Sequence, residues 1–431
     1  MRVERLALDG DARELATRVR ALAPAPATVQ DAVEEIIAAV RRDGDDAVLE
    51  LTRTLDTGGE APWPLRVDPL ELDEALVRLD RELREAMELA AANVRAIALA
   101  GVGGQQEVEL AQGHRVLLRE VPVRRAAIYV PGGRAPYPST VIMGAITAQA
   151  AGVEEIAVCA PPGRDGQAQT AILAACALCG VREVYRMGGA QAVAALALGT
   201  ASVPRVDVIA GPGNLYVQEA KRRLCDVVGI DGFAGPSDLL VLLAGAAEDA
   251  VQAVALDLLA QAEHGEQSIV AAVSPDATTL DALAVRLEEL APERPSARAA
   301  ACVLVETRDP EAALGFADAF APEHLQLVGS EAESLAPRVV AAGCVFVGAS
   351  AGTAFGDYVA GSNHVLPTGG AARFGSVLSP ADFRRRMTEV RVDPAAAGAL
   401  APAGARIARA EGFAVHAESM EARIGENGRH G

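Results

Sequence analysis

The sequence predicts an α/β protein: two successive parallel-sheet halves with helices on both faces, set between a helical N-terminal region and a helical C-terminal tail. Two observations carry this. Short apolar runs alternate with helical stretches from about residue 123, and a second series of the same kind begins near residue 238. Strands joined by helix-length connections pair parallel, because a parallel return needs a crossover.

Residues 1–24 read as a short charged helical arm ended by APAPAT. DAVEEIIAAVRRDGDDAVLELTRTLD then reads as two helical stretches about Asp43 and Gly44. ELDEALVRLDRELREAMELAAANVRAIA reads as one long helix, with apolar residues at helical spacing and charges opposite. The strands of the first series are AAIYV, EIAVCA, EVYRM and VDVIA. Those of the second are DLLVLL, SIVAAV, ACVLVE and CVFVG. Two such series give two Rossmann-like halves. The expected domains are an arm over 1–24, an α/β domain of 25–125 with 236–375, a second over 126–235, and a helical tail over 376–431.

The chain has 431 residues, 51% of them hydrophobic, enough for large cores. Its net charge of −19 excludes a reader of nucleic-acid backbones, which needs a basic surface. MRVERLALDG lacks the apolar core of a secretory signal, and the longest mostly apolar run, residues 339–355, is broken by glycines. The six cysteines are scattered and sit in apolar contexts, a reducing-compartment pattern, so a cytoplasmic protein is expected. Cys176 and Cys179 form a C-x-x-C inside an apolar helical stretch with no second pair, which reads as core packing.

Three strand-to-helix turns of the first series are rich in glycine: YVPGGRAPYPS (129–139), RMGGAQAVAAL (186–196) and IAGPGNLYVQEAKR (209–222). Glycine lets a ligand approach the backbone, and a helix start offers unpaired N–H donors and a partial positive charge. At the carboxyl edge of a parallel sheet this suits a nucleotide. The residues alone do not say which nucleotide, because Tyr216 falls where the third glycine of a G-x-G-x-x-G would be.

Histidines are few. Gln261 and His264 are three apart and share a helix face. Imidazole is a good zinc ligand and an amide oxygen a weak one, so the spacing taken alone reads first as a surface or capping pair. Glu323 and His324 lie in FAPEHLQLV, where adjacent side chains point different ways and can take two jobs around one substrate. A polar helix start after Pro322 is the alternative. Asp357 and His364 share the glycine-rich loop FGDYVAGSNHVLPTGG. Glu411 and His416, in RAEGFAVHAE, read on their own as a solvated helix, and His114 and His430 as ordinary polar positions.

Together these segments make the chain resemble the histidinol dehydrogenase family over nearly its whole length. The matching stretches are IYVPGGRAPYPSTVIM, GGAQAVAALALGT, GPGNLYVQEAKR, AGPSDLLV, AQAEH, APEHL and GDYVAGSNHVLPTGGAARF. The resemblance implies an aldehyde-dehydrogenase-like layout in which 126–235 binds NAD+. It implies a four-electron oxidation of L-histidinol via L-histidinal to L-histidine. It places NAD+ contacts at Tyr129, Gln191 and Asn214, one zinc ion (Zn2+) per subunit on Gln261, His264, Asp357 and His416, and an acid/base pair at Glu323 and His324. Substrate contacts would come from Ser237, Gln261, His264, His324, Asp357, Glu411 and His416. A homodimer is implied, whose tail donates Glu411 and His416 in trans; this replaces the solvated-helix reading of those two.

The chain departs from the family's pattern at Gly265, at Gln326 after APEHL, in the GASAGTAFGDY loop and in ITAQAAGV, none of them a chemical position. Three alternatives stand beside this reading. One is a paralogue acting on another small polar alcohol. Another is a cysteine-dependent aldehyde dehydrogenase, and the third a non-catalytic nucleotide- or metal-binding protein.

Overall fold

The computed structural model describes residues 2–23, 28–60, 64–132, 135–232 and 237–424. The chain divides into two compact units, residues 1–101 with 124–383 and residues 102–123 with 384–431.

Both expected parallel sheets lie in the larger unit. One has six strands in the order Arg2–Ala7, Ala301–Glu306, Ile269–Ser274, Asp238–Leu243, His324–Val328, Cys344–Val347. The other has five, in the order Glu183–Arg186, Glu155–Ala160, Arg125–Tyr129, Val208–Ala210, Gly229–Ile230. Every pairing in both is parallel. Their central strands are unbroken apolar runs because helices cover both faces. In DLLVLL, Leu240 and Leu242 pack with Val19, Phe316 and Phe320 on one face, while Leu239, Val241 and Leu243 pack with Leu258 and Leu283 on the other.

In each sheet the chain steps outward in one direction and then reverses. The reversal falls between Arg125–Tyr129 and Val208–Ala210 in the five-stranded sheet. It falls between Asp238–Leu243 and His324–Val328 in the six-stranded one. Helices leave opposite faces at such a reversal and open a crevice outside the carboxyl ends of the two strands.

Two expectations need correcting. The N-terminal arm is not all helix: Arg2–Ala7 is an edge strand parallel to Ala301–Glu306, and only Ala12–Arg20 is helical. Six residues, half of them charged, carry little periodicity of their own, so pairing with an open sheet edge decides their state. Nor is the tail all helix. Arg384–Arg391 pairs antiparallel with Arg115–Pro122, which pairs with Gln106–Glu109, and the helices Pro394–Ala410 and Ala414–Glu421 follow. This small sheet is half-exposed and rich in charge, and its longest apolar run, Val116 to Leu118, is shorter than those of the central strands.

Other expectations hold. The helices Gln30–Asp43 and Asp45–Leu55 meet at Gly44, whose φ of +57° makes the break. All six cysteines are free, with Cys176 and Cys179 buried in the core; Cys225, however, is exposed rather than in an apolar setting. Among the described residues, no helix is long and apolar enough to cross a membrane.

Candidate active site

Asp238 and His324 open two neighbouring strands at the reversal of the six-stranded sheet, and Ser237 and Glu323 immediately precede them. Glu323 is 6% exposed. Its Oε2 accepts hydrogen bonds from Ser237 Oγ at 2.5 Å and from the Asp238 N–H at 3.0 Å. In return Asp238 Oδ1 accepts from the Glu323 N–H at 2.7 Å. Gln261, buried in the last turn of the helix Ala250–Ala262, donates its Nε2 to Ser237 Oγ at 2.5 Å. Burial raises the pKa of Glu323, and His324 only partly offsets it.

The His324 ring is buried and stacks on Phe346 at 5.8 Å between centroids. Its Nε2 lies 3.4 Å from Asp357 Oδ1, and its Nδ1 lies 3.7 Å from Glu323 Oε2. Burial alone would lower the pKa of His324, but the carboxylates of Asp357, Glu323 and Asp238 raise it overall. Asp357 shows the reverse balance: burial opposes its charge, and His324 holds its pKa down nonetheless.

Asp357 sits in the short helix Thr353–Tyr358. His364, whose role the sequence leaves open, ties that segment down. Its Nδ1 is 3.1 Å from the Asp357 carbonyl oxygen, and its Nε2 is 3.0 Å from Thr140 Oγ1. Asn363 Nδ2 donates to the Met143 carbonyl at 3.3 Å. Thr140 and Met143 belong to Pro138–Ala151, the helix after the first glycine turn. The amino edge of the six-stranded sheet is thereby joined to the carboxyl edge of the five-stranded one.

The three glycine turns gather at that carboxyl edge. The Tyr129 hydroxyl accepts from the Gly189 N–H at 3.0 Å, so the end of one strand fixes the second turn. Gln191 is 1% exposed; its Nε2 donates to Asp56 Oδ2 at 3.2 Å, and its Oε1 is buried with no hydrogen-bond partner among the described residues. Burial pushes the Asp56 carboxyl up to about 6. Asn214 caps the helix Leu215–Leu224, its Oδ1 accepting from the Tyr216 and Val217 N–H groups, which leaves its amide hydrogens as donors. A Cβ on Gly211 would lie 2.0 Å from the Tyr129 carbonyl oxygen, and one on Gly188 would lie 2.5 Å from Pro161 Cβ, so the turns are packed to the limit. Close backbone, two helix starts and an unpaired buried amide oxygen fit a phosphate-bearing nucleotide.

For a metal ion, Gln261, His264 and Asp357 offer an amide oxygen, an imidazole and a carboxylate, and the excess of carboxylates around His324 suits a cation. The donor chemistry fits zinc. Among the described residues, though, no three His, Cys, Asp or Glu side chains are grouped to hold an ion. The expected fourth ligand, His416, lies in the smaller unit on Ala414–Glu421, and Glu411 directly follows the helix Pro394–Ala410; both are exposed. His430, Gly133 and Arg134 of the first turn, and residues 234–236 before Ser237 lie outside the described residues.

Two residues here have no signal of their own in the sequence. Asp238 was legible only as the neighbour of Ser237 in AGPSD. Asp56 sits in an ordinary charged helical stretch with no local signal. Cys159, Cys176, Cys179 and Cys302 are buried, and Cys344, which pairs with His324 across neighbouring strands, has its thiol pushed up to about 11 by burial and by Asp357, far from a reactive thiolate.

A family model described as histidinol dehydrogenase matches residues 22–424. The chain belongs to the histidinol dehydrogenase family. It is 44% identical to the histidinol dehydrogenase of Cereibacter sphaeroides over 405 residues, 92% of each chain. With that of Parasynechococcus marenigrum it shares 41% over 404 residues, 92% of this chain and 91% of the relative. The crystal structure of histidinol dehydrogenase from Elizabethkingia anophelis matches it with a TM-score of 0.91 at 30% identity, covering 98% of both chains. As a histidinol dehydrogenase family member the protein is an oxidoreductase, and the match spans both units.

Proposed function

We propose that the protein oxidises L-histidinol through L-histidinal to L-histidine, using two NAD+ and a zinc ion, as a cytoplasmic homodimer. The observation that carries this is the buried pair Glu323 and His324, with Asp357 3.4 Å from the imidazole. Family membership supplies the substrate. Tyr129, Gln191 and Asn214 would hold NAD+, Tyr129 acting through the Gly189 turn it fixes. Gln261, His264, Asp357 and the partner subunit's His416 would hold zinc. When bound, the ion orients the imidazole and amine of the substrate, a templating role. Ser237 and the partner subunit's Glu411 complete the substrate contacts.

In the first oxidation His324 takes the hydroxyl proton while the carbinol carbon gives its hydride to NAD+, leaving the aldehyde. Glu323 then takes a proton from water as the water oxygen bonds to the carbonyl carbon, and His324 returns its proton to the carbonyl oxygen, forming the hydrate. His324, neutral again, takes a hydrate proton as the second hydride goes to a second NAD+, leaving the carboxylic acid, which ionises to the carboxylate. Each oxidation moves two electrons, and one water is consumed.

General acid–base groups contribute about 10²–10⁴-fold. His324→Asn is therefore expected to lose both oxidations on that scale, and Glu323→Gln to lose mainly that of L-histidinal. Rates measured separately with the alcohol and the aldehyde decide this. Equal loss of both steps in Glu323→Gln overturns the division of labour.

A further inference from the structure

We propose that Arg20 and Asp238 are positioning residues for Glu323, clamping its backbone and one carboxylate oxygen so that the other oxygen is presented to water. This rests on the role given to Glu323 above. Glu323 and Asp238 bond reciprocally, each side chain to the other's N–H, at 3.0 and 2.7 Å. Asp238 is 1% exposed, and its Oδ2 accepts from Arg20 Nη1 at 3.0 Å and from the Gly369 N–H at 3.2 Å. Among the described residues, Glu323 Oε1 accepts no hydrogen bond, whereas Oε2 accepts two.

Arg20 holds both ends of the turn that delivers Glu323. Its Nη2 donates to the carbonyls of Phe320 and Ala321, where the helix Pro310–Phe320 ends. Those carbonyls lack helical partners, and a guanidinium at a helix C-terminus satisfies them. Its guanidinium carbon sits 4.0 Å from the centroid of the Phe320 ring. Ala321 has a φ of +49°, a left-handed conformation that a residue with a Cβ keeps only when its surroundings hold it. The clamp thus runs from the first helix of the chain, through one buried carboxylate, to the proposed base.

Arg20 is also reachable. It lines an open cavity of about 690 Å³ together with Arg13, Thr17, Asp318, Gly369 and Arg373. Removing its side chain would leave a slot that solvent, and a free guanidinium ion, can enter.

The test uses the full-length, zinc-loaded enzyme with Arg20→Ala, assayed with L-histidinol and with L-histidinal at saturating NAD+. Misplacing a reacting group by about 1 Å costs about 100-fold. A fall in kcat on that scale is expected for aldehyde oxidation, with KM and the alcohol step little changed. Low-millimolar guanidinium chloride is expected to restore much of the loss, and equal sodium chloride or urea is not. Unchanged rates, or a parallel fall in both steps without guanidinium rescue, overturn the proposal. Should Arg20→Ala fail to fold, Asp238→Asn carries the test: a selective loss of aldehyde oxidation supports the clamp, and wild-type rates refute it. Glu323→Gln separates the two claims. If it retains aldehyde oxidation, the role of Glu323 fails. If it loses that step while Arg20→Ala keeps it, only the clamp fails.

Discussion

Lys221→Met would leave Asp231 buried without its cation beneath the third glycine turn. The two side chains are 1% and 4% exposed and meet at 2.6 Å. Lys221 Nζ also donates to the Gly211 carbonyl at 2.6 Å, and Asp231 Oδ2 accepts from the Gly211 N–H at 2.7 Å. Both backbone polar groups of Gly211 are thus held by one ion pair. Gly211 has a φ of +123° and packs directly on the Tyr129 carbonyl, so the turn has no slack to reorganise. Breaking a buried pair by deleting one partner costs about 3–5 kcal/mol, because the remaining charge is stranded. Methionine keeps most of the lysine's packing, so a loss of about 3 kcal/mol is expected, near the bottom of that range. Adding Asp231→Asn removes the stranded charge and is expected to recover about 1–2 kcal/mol. Urea denaturation followed by circular dichroism reads this as a lower midpoint at unchanged slope. NAD+ titration of the folded variant is expected to show weaker binding, since Asn214 is carried on the loosened turn. A loss under about 1 kcal/mol, the range of an exposed pair, would refute the reasoning, as would a double variant no more stable than the single one.

His364→Ala removes the tie between the Asp357 carbonyl and Thr140. Zinc affinity, read by competition with a chelating dye, is expected to fall about 10-fold, and an unchanged affinity would show that the tie is not needed. Asp45 supplies a pH prediction. Burial works against its charge, but hydrogen bonds from Ser202 and Thr200 prevail and hold its pKa below the ordinary value. A depressed folded pKa gives stability that is present above the unfolded value of about 4 and lost as pH falls through the folded one. The stability gap between the wild type and Asp45→Asn should therefore be full at neutral pH and shrink below pH of about 4 in denaturation midpoints.

Both parallel sheets were legible because their strands, buried on two faces, are apolar runs between helices. The glycine turns were legible because glycine marks backbone packed against backbone, as Gly211 is against Tyr129. Less could be read where pairing alone sets the structure, as in Arg2–Ala7 and Arg384–Arg391. Least legible were the groups that act through others. Arg20 and Asp238 are 218 positions apart, and no local spacing joins them. Tyr129 stands in the expected turn, yet its hydroxyl serves the Gly189 N–H. Gln326, a departure from the family's pattern, also has a structural reason. Fully buried, it donates to Asp257 Oδ2 at 2.9 Å, and a glutamate in its place would set two carboxylates together.

The most direct test of the account is the number of NADH formed per molecule of limiting L-histidinol, with excess NAD+ and the zinc-loaded enzyme. The account predicts a ratio near two, abolished by a chelator and restored by zinc. A ratio of one, or no NADH while zinc remains bound, would contradict it.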